Sequence, residues 1–127
     1  MIKDHFDTAG TDVGRSSEIY ADDAVLEFPQ GNERIRGRDN IIAFRSAYPA
    51  TLDFEMSRTI GCADLWVNEY MISYDGGTPW RVVGVMEFSN GKVFRERIYI
   101  TEPWEPPAWR AQWVEPIDPA PSEDSQS

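Results

Sequence analysis

The sequence predicts an α+β domain, and three observations carry that reading. Apolar residues recur at helical spacing as far as Tyr48, and alternation with a period of two takes over from Leu52. Two turn signals, Asp75-Gly76-Gly77 and Asn90-Gly91, then divide the second half into hairpins. Helices followed by a run of antiparallel strands are the pattern of a sheet covered by helices on one face.

Each element has a local reason. Ile2 to Phe6 reads as the end of a helix, and Ala9-Gly10-Thr11-Asp12 as a C-cap glycine followed by a new N-cap. Asp12 to Tyr20 is compatible with a short helix. Ala24 to Phe28 is a strand stopped by Pro29 and a Gln30-Gly31-Asn32 turn. Arg38 to Tyr48 is the clearest helix: Ile41, Ile42, Phe44, Arg45 and Tyr48 follow its spacing, Asp39 lies in its first turn, and Pro49 ends it. Leu52, Phe54 and Met56 alternate with Asp53, Glu55 and Ser57, as in a half-buried strand. Gly61 to Asp64 is a turn, and Leu65 to Tyr74, Trp80 to Phe88 and Val93 to Ile100 are three further strands.

A chain of 127 residues suits one domain with one core. With 22 acidic residues against 12 Lys and Arg, the net charge is -10, which argues against nucleic acid and anionic membranes as partners. No apolar run approaches the ~20 residues of a membrane span, and the first residues lack the apolar centre of a signal peptide, so a cytoplasmic protein is expected. One cysteine, Cys62, makes neither an internal disulfide nor a thiolate metal cluster, and is expected to be buried or half-buried on a strand. No metal site or nucleotide cofactor is indicated, since no glycine-rich phosphate loop follows a strand. The domain is expected to cover residues 1–115. Trp109 and Trp113, spaced i, i+4, call for apolar cover: the sheet itself, a partner subunit or a pocket mouth. Residues 116–127, rich in Pro, Ser and acid, are expected to be disordered.

The stretch Tyr20-Ala21-Asp22-Asp23-Ala24-Val25, with Ile35-Arg36-Gly37-Arg38 before the helix and Gly91-Lys92-Val93 leading into Arg95-Glu96-Arg97-Ile98-Tyr99, resembles SnoaL-like proteins of the nuclear transport factor 2-like superfamily. The resemblance covers most of residues 1–115. It implies a cone-shaped curved antiparallel sheet with N-terminal helices packed on it, a hydrophobic cavity and a homodimer. Chemistries in that family include ketosteroid isomerisation, polyketide ring closure, dehydration and epoxide hydrolysis, and some members only bind or scaffold, so fold alone does not select one. The helix before Ala9-Gly10 is short for the family. At the position where the isomerases carry their aspartate base, just before the proline of the first strand, this chain has Phe28. The place of their acidic oxyanion donor falls near Gly84. Both departures argue against a ketosteroid isomerase mechanism.

Strand alternation supplies the candidate site. Phe28, Trp66, Asn68, Tyr70, Tyr74 and Met86 fall on the inward faces of their strands, as ligand-contacting candidates. Glu96 falls between Phe94 and Ile98 on an apolar face. A desolvated carboxylate there is a candidate general base, although pairing with an arginine such as Arg58 or Arg81, or a place at a dimer interface, is the plainer explanation. Tyr70, Tyr74 and Asn68 could hydrogen-bond a ligand's carbonyl or hydroxyl, or be packed core residues with satisfied tips. His5, the sole histidine, could act as a base if its helix borders the pocket, and is otherwise expected to be exposed and inert. Arg95 and Arg97 beside Glu87 read as outer-face ion pairs. Two functions follow: a cofactor-free enzyme moving a proton on a small apolar ligand, with Glu96 as base, or a protein of the same fold that binds or scaffolds without chemistry. A structural dimer with a filled cone is the third reading.

Overall fold

The computed structural model describes residues 1–118, so the predicted disordered tail lies outside them beyond Asp118. Three helices, α1 (Ile2–Thr8), α2 (Val13–Ser16) and α3 (Arg38–Ser46), accompany six strands: β1 (Tyr20–Phe28), β2 (Glu33–Arg36), β3 (Leu52–Cys62), β4 (Leu65–Tyr74), β5 (Trp80–Ser89) and β6 (Lys92–Thr101). The strands form one curved, unclosed sheet in the order β2-β1-β6-β5-β4-β3. From β3 to β6 it is an antiparallel meander, and β1 joins the meander parallel to β6, with Leu26 opposite Glu96. The helices cover the concave face, burying Phe6 and Ile41 against Leu26, Tyr70, Val82, Met86 and Ile98.

Local chemistry accounts for the turns. Asp12 caps α2, its side chain accepting from the Arg15 amide at 3.0 Å. Asn90 and Gly91 both take positive φ, as a two-residue hairpin requires, and Ser89 then faces Lys92. Gly10 meets the sheet at close range: a Cβ there would lie 2.5 Å from the Leu52 carbonyl oxygen. This contact seats the end of α1 against β3 and so fixes where His5 and Phe6 stand.

Several expectations change. Tyr20 opens β1 instead of ending a helix, because α2 stops at Ser16 and gives way to a single 3-10 turn, Ser17–Ile19. Asp22 and Asp23 therefore lie on a strand, where the register with β6 shifts between Tyr20 and Val25. β2 was not anticipated, since Glu-Arg-Ile-Arg has no apolar alternation, and it pairs with β1 through its backbone. β3 continues to Cys62, which is exposed, contrary to expectation: its strand is at the sheet edge and turns at Ala63. A register shift between Glu87 and Phe88 resets the facing of β6, so Val93 is buried and Phe94 exposed, while Glu96 and Ile98 remain inside. The C-terminal arm makes the predicted short helical turn at Ala108–Trp113, in 3-10 form, but does not dock on the sheet. Trp104, Trp109 and Trp113 stand 76%, 74% and 72% exposed, and Asp118 pairs with Arg81 of β5 at 3.2 Å.

Replacing Gly10 by Ala forces the new methyl group against backbone that cannot swing aside. We expect Gly10→Ala to destabilise the domain by about 1–3 kcal/mol, measured by urea denaturation, and to shift the NMR resonances of α1 more than those of α3.

Candidate active site

A cavity of about 250 Å³ lies between the helices and the concave face. Its walls are mostly apolar: Phe6 from α1, Phe44 from α3, and Phe28, Phe54, Ile72 and Ile98 from the sheet. Near its rim Tyr48 stacks on Tyr74 with ring centres 5.9 Å apart. Burial and the neighbouring Tyr48 push the Tyr74 hydroxyl up to about 12. The polar groups that face the cavity include His5, Glu33, Arg45 and Tyr70.

Behind this wall lies a buried ionic chain. Arg45 of α3 donates to the Tyr20 hydroxyl at 2.8 Å, and Tyr20 donates in a short hydrogen bond to Oε1 of Glu96. The Arg45 guanidinium also stands 3.6 Å from that oxygen. Tyr20 and Glu96 are sealed, at 0% and 1% exposure, whereas Arg45 keeps one side toward the cavity. Burial raises the Tyr20 hydroxyl well above the ordinary tyrosine value, so it remains a donor. Burial opposes the charge on Arg45, but Tyr20 and Glu96 outweigh it and hold the guanidinium above its ordinary value.

Oε2 of Glu96 has no partner among the described residues. It occupies a niche left by Gly84, where a Cβ would be 3.5 Å from Oε2 and 3.9 Å from the Tyr70 hydroxyl. Glycine at 84 thus makes room for a carboxylate that reaches in from the next strand. Tyr70, buried against Phe6 and Phe54, has its hydroxyl raised by burial and by Glu96, so it too is a proton donor.

The structure distributes the sequence candidates between two places. Phe28, Tyr70 and Tyr74 line the cavity. Glu96, Asn68 and Met86 are buried in the sheet behind it, and Trp66 packs over Gly61 with its indole donating to the Ala63 carbonyl at 2.9 Å. Asn68 accepts from Thr59 at 3.0 Å and leaves its Nδ2 unpartnered. Neither arginine proposed for Glu96 reaches it, since Arg58 pairs with Glu69 and Arg81 with Asp118; Arg45 takes that place. Of the outer-face arginines, Arg95 pairs with Glu87 and Arg97 with Glu27.

His5 is the main reversal: it is 3% exposed and lines the cavity, because α1 is anchored to α2 through Ser16. Tyr20 and Arg45 were missed as site residues. The available signal was Arg45 on the apolar stripe of α3, one helical turn after Ile41. Among the described residues no three His, Cys, Asp or Glu side chains gather as a metal site, and no helix is long and apolar enough to cross a membrane.

Breaking the buried pair leaves a charge uncompensated in the core. Glu96→Gln and Arg45→Met are each expected to cost about 3–5 kcal/mol, and the double variant much less than their sum. A double-mutant cycle by chemical denaturation measures the coupling, and additive effects would show that the pair does not interact.

The sequence profile of the SnoaL-like domain matches residues 4–96. None of the curated proteins matches. Among solved structures, an NTF-2 like protein of unknown function from Burkholderia xenovorans LB400 is 43% identical, with 92% of each chain covered and a TM-score of 0.84. A candidate ketosteroid isomerase from Kribbella flavida DSM 17836 is 26% identical, covering 95% of this chain and 87% of its own, with a TM-score of 0.81. An LEH-like epoxide hydrolase from M. tuberculosis shares the fold at 20% identity and a TM-score of 0.67, over 78% of each chain. With the curved sheet, the covering helices and the profile match in agreement, the chain belongs to the SnoaL-like family of the NTF2-like superfamily.

Proposed function

We propose that the cavity binds a small, largely apolar molecule through an oxygen function at its Arg45–Tyr70 end, and that the protein is a cofactor-free enzyme transferring a proton on that molecule. The supporting observation is the buried Glu96 carboxylate, with one oxygen committed to Tyr20 and the other uncommitted beside Tyr70. An apolar cavity with a few convergent polar groups is the usual form of a small-molecule site. Arg45 and Tyr70 are donors placed to hold a carbonyl oxygen and the negative charge that develops on it. Isomerisation, cyclisation and dehydration all proceed through such an intermediate. Glu96 does not itself face the cavity, so it would act on the ligand only through groups that do.

That last point favours a second reading, in which the same cavity binds its ligand without chemistry. Deuterium exchange separates the two. Small cyclic ketones are incubated with the protein in D2O, and exchange at the carbon beside the carbonyl is followed by NMR. Catalysed exchange that falls about 100-fold or more in Glu96→Gln supports the enzyme. Binding with no exchange supports the carrier, and no binding removes both.

The protein is further proposed to act as a homodimer. Val83 and Tyr99, opposite one another on β5 and β6, are exposed on the convex face, and the three tryptophans of the arm lack cover within the described residues. Sedimentation at micromolar concentration is expected to give twice the chain mass, and Val83→Lys to reduce it. A monomeric mass for the unaltered chain would count against the dimer.

A further inference from the structure

His5 is the one imidazole in the chain, and the fold takes pains to bury it. α1 carries it to the boundary between the cavity and the α1–α2 packing. There Nδ1 stands 2.7 Å from the Ser16 carbonyl oxygen and 2.9 Å from its hydroxyl. A carbonyl only accepts, so the proton is on Nδ1. The Ser16 hydroxyl gives its own proton to the His5 carbonyl at 2.8 Å, which completes the arrangement. One tautomer is therefore selected, and Nε2 is left as a bare lone pair. Nε2 has no hydrogen-bond partner among the described residues, yet it is absent from the fully enclosed polar atoms that lack one. His5 lines the cavity on one side and a smaller cleft beside Ser16 and Lys92 on the other; Nδ1 is turned to Ser16, so Nε2, across the ring, is turned away from that cleft.

From this geometry we infer that His5 Nε2 is the proton acceptor of the cavity, and that the ligand class is a small apolar molecule bearing a hydroxyl or an enolisable carbonyl. The inference rests on the reading of the cavity as a ligand site and supplies the group that reading lacks. Glu33 is on the exposed strand β2 with its carboxylate turned over Gly31, and Glu96 is behind the wall with Oε1 engaged by Tyr20, while Tyr70 and Arg45 only donate. In the step, the ligand's O–H or α-C–H bond breaks and an N–H bond forms at Nε2. The electron pair stays on the ligand as a phenolate or enolate, whose oxygen Arg45 and Tyr70 can hold. The imidazolium returns its proton at the end, so no oxidant, reductant or second substrate is needed.

The surroundings favour a neutral imidazole before the ligand arrives. The ionisable groups around it are Asp4 on α1 and the Met1 amino group before it, Arg15 on α2, Glu18 in the following turn, Tyr20 on β1, Arg45 on α3, Tyr70 on β4, and Lys92 and Glu96 on β6. Burial is the largest influence and lowers the imidazole below its ordinary 6.5; Arg45 acts in the same sense, and Glu96, Asp4 and the Ser16 contact oppose it. The base form thus persists below the pH at which a free histidine would be half protonated, and is lost only as the pH falls through the lowered value.

A single histidine makes the test specific. The probes are para-nitrophenol and para-nitroanisole, which differ by a methyl group in place of the acidic proton. Long-range 1H–15N NMR of the unaltered protein at pH 7 should show Nδ1 protonated and Nε2 bare, and para-nitrophenol should shift the Nε2 resonance toward the protonated or hydrogen-bonded range. The phenol should also bind about tenfold more tightly than the ether, and His5→Leu should abolish that preference while still binding the ether. Binding of the phenol with Nε2 unmoved, or a preference unchanged in His5→Leu, overturns the inference and leaves the ligand site standing. Binding of neither probe overturns both. The NMR measurement decides the matter if His5→Leu does not fold.

Discussion

The hydrogen-bonded chain from Arg45 through Tyr20 to Glu96 ties a helix to two strands by polar contacts, where their other contacts are backbone pairing and apolar packing. Arg45 is on α3, Tyr20 begins β1, and Glu96 lies in the middle of β6. A carboxylate taken out of water costs several kcal/mol unless it is matched by charge and hydrogen bonds. Here the cost is met by one cation and one hydroxyl that arrive from separate elements, so the carboxylate is compensated only when helix and both strands are in place. This dependence selects one arrangement of α3 over the sheet, where hydrophobic burial alone would tolerate sliding. The cavity is a product of that arrangement, because Arg45 and Phe44 hang from the helix that it fixes.

Much of the fold was legible because backbone preferences in this chain are strong and local. Asn90-Gly91 dictated a hairpin, and alternation from Leu65 to Tyr74 put Asn68, Tyr70 and Ile72 on the buried face. What was illegible depended on partners distant in sequence. β2 exists because β1 offers it an edge, not because Glu33–Arg36 favours a strand. Tyr20 reads equally well as the end of a helix or the start of a strand, and pairing with β6 decides. The bulge between Glu87 and Phe88 cannot be located from alternation, and it reverses the side on which Phe94 falls.

The candidate site divides along the same line. A carboxylate at 96 on an otherwise apolar strand stood out, and it is indeed buried. Its partner did not stand out, because an arginine on an amphipathic helix usually marks the solvent edge. Arg45 instead turns inward over Tyr20. His5 was hard to read for a related reason. A histidine near a chain start looks loose until Ser16, eleven residues later, supplies both its anchor and its tautomer. Gly84 was the reverse case: the residue that removed a familiar acid from β5 is also the one that accommodates the acid of β6.

The parallel pairing of β1 with β6 has a kinetic consequence. Leu26 and Glu96 are 70 positions apart in the sequence yet sit side by side in the sheet. On a ribosome the chain emerges from the N-terminus, so α1, β1 and α3 are available long before the strand that completes their shared face. Until β6 appears, Tyr20 and Arg45 have no carboxylate to meet, and β1 has only the short β2 to pair with. Contacts that close so long a loop form late and slow the folding of small domains. The cavity is therefore among the last parts to become whole, and a nascent or truncated chain would expose its aromatic lining in the meantime.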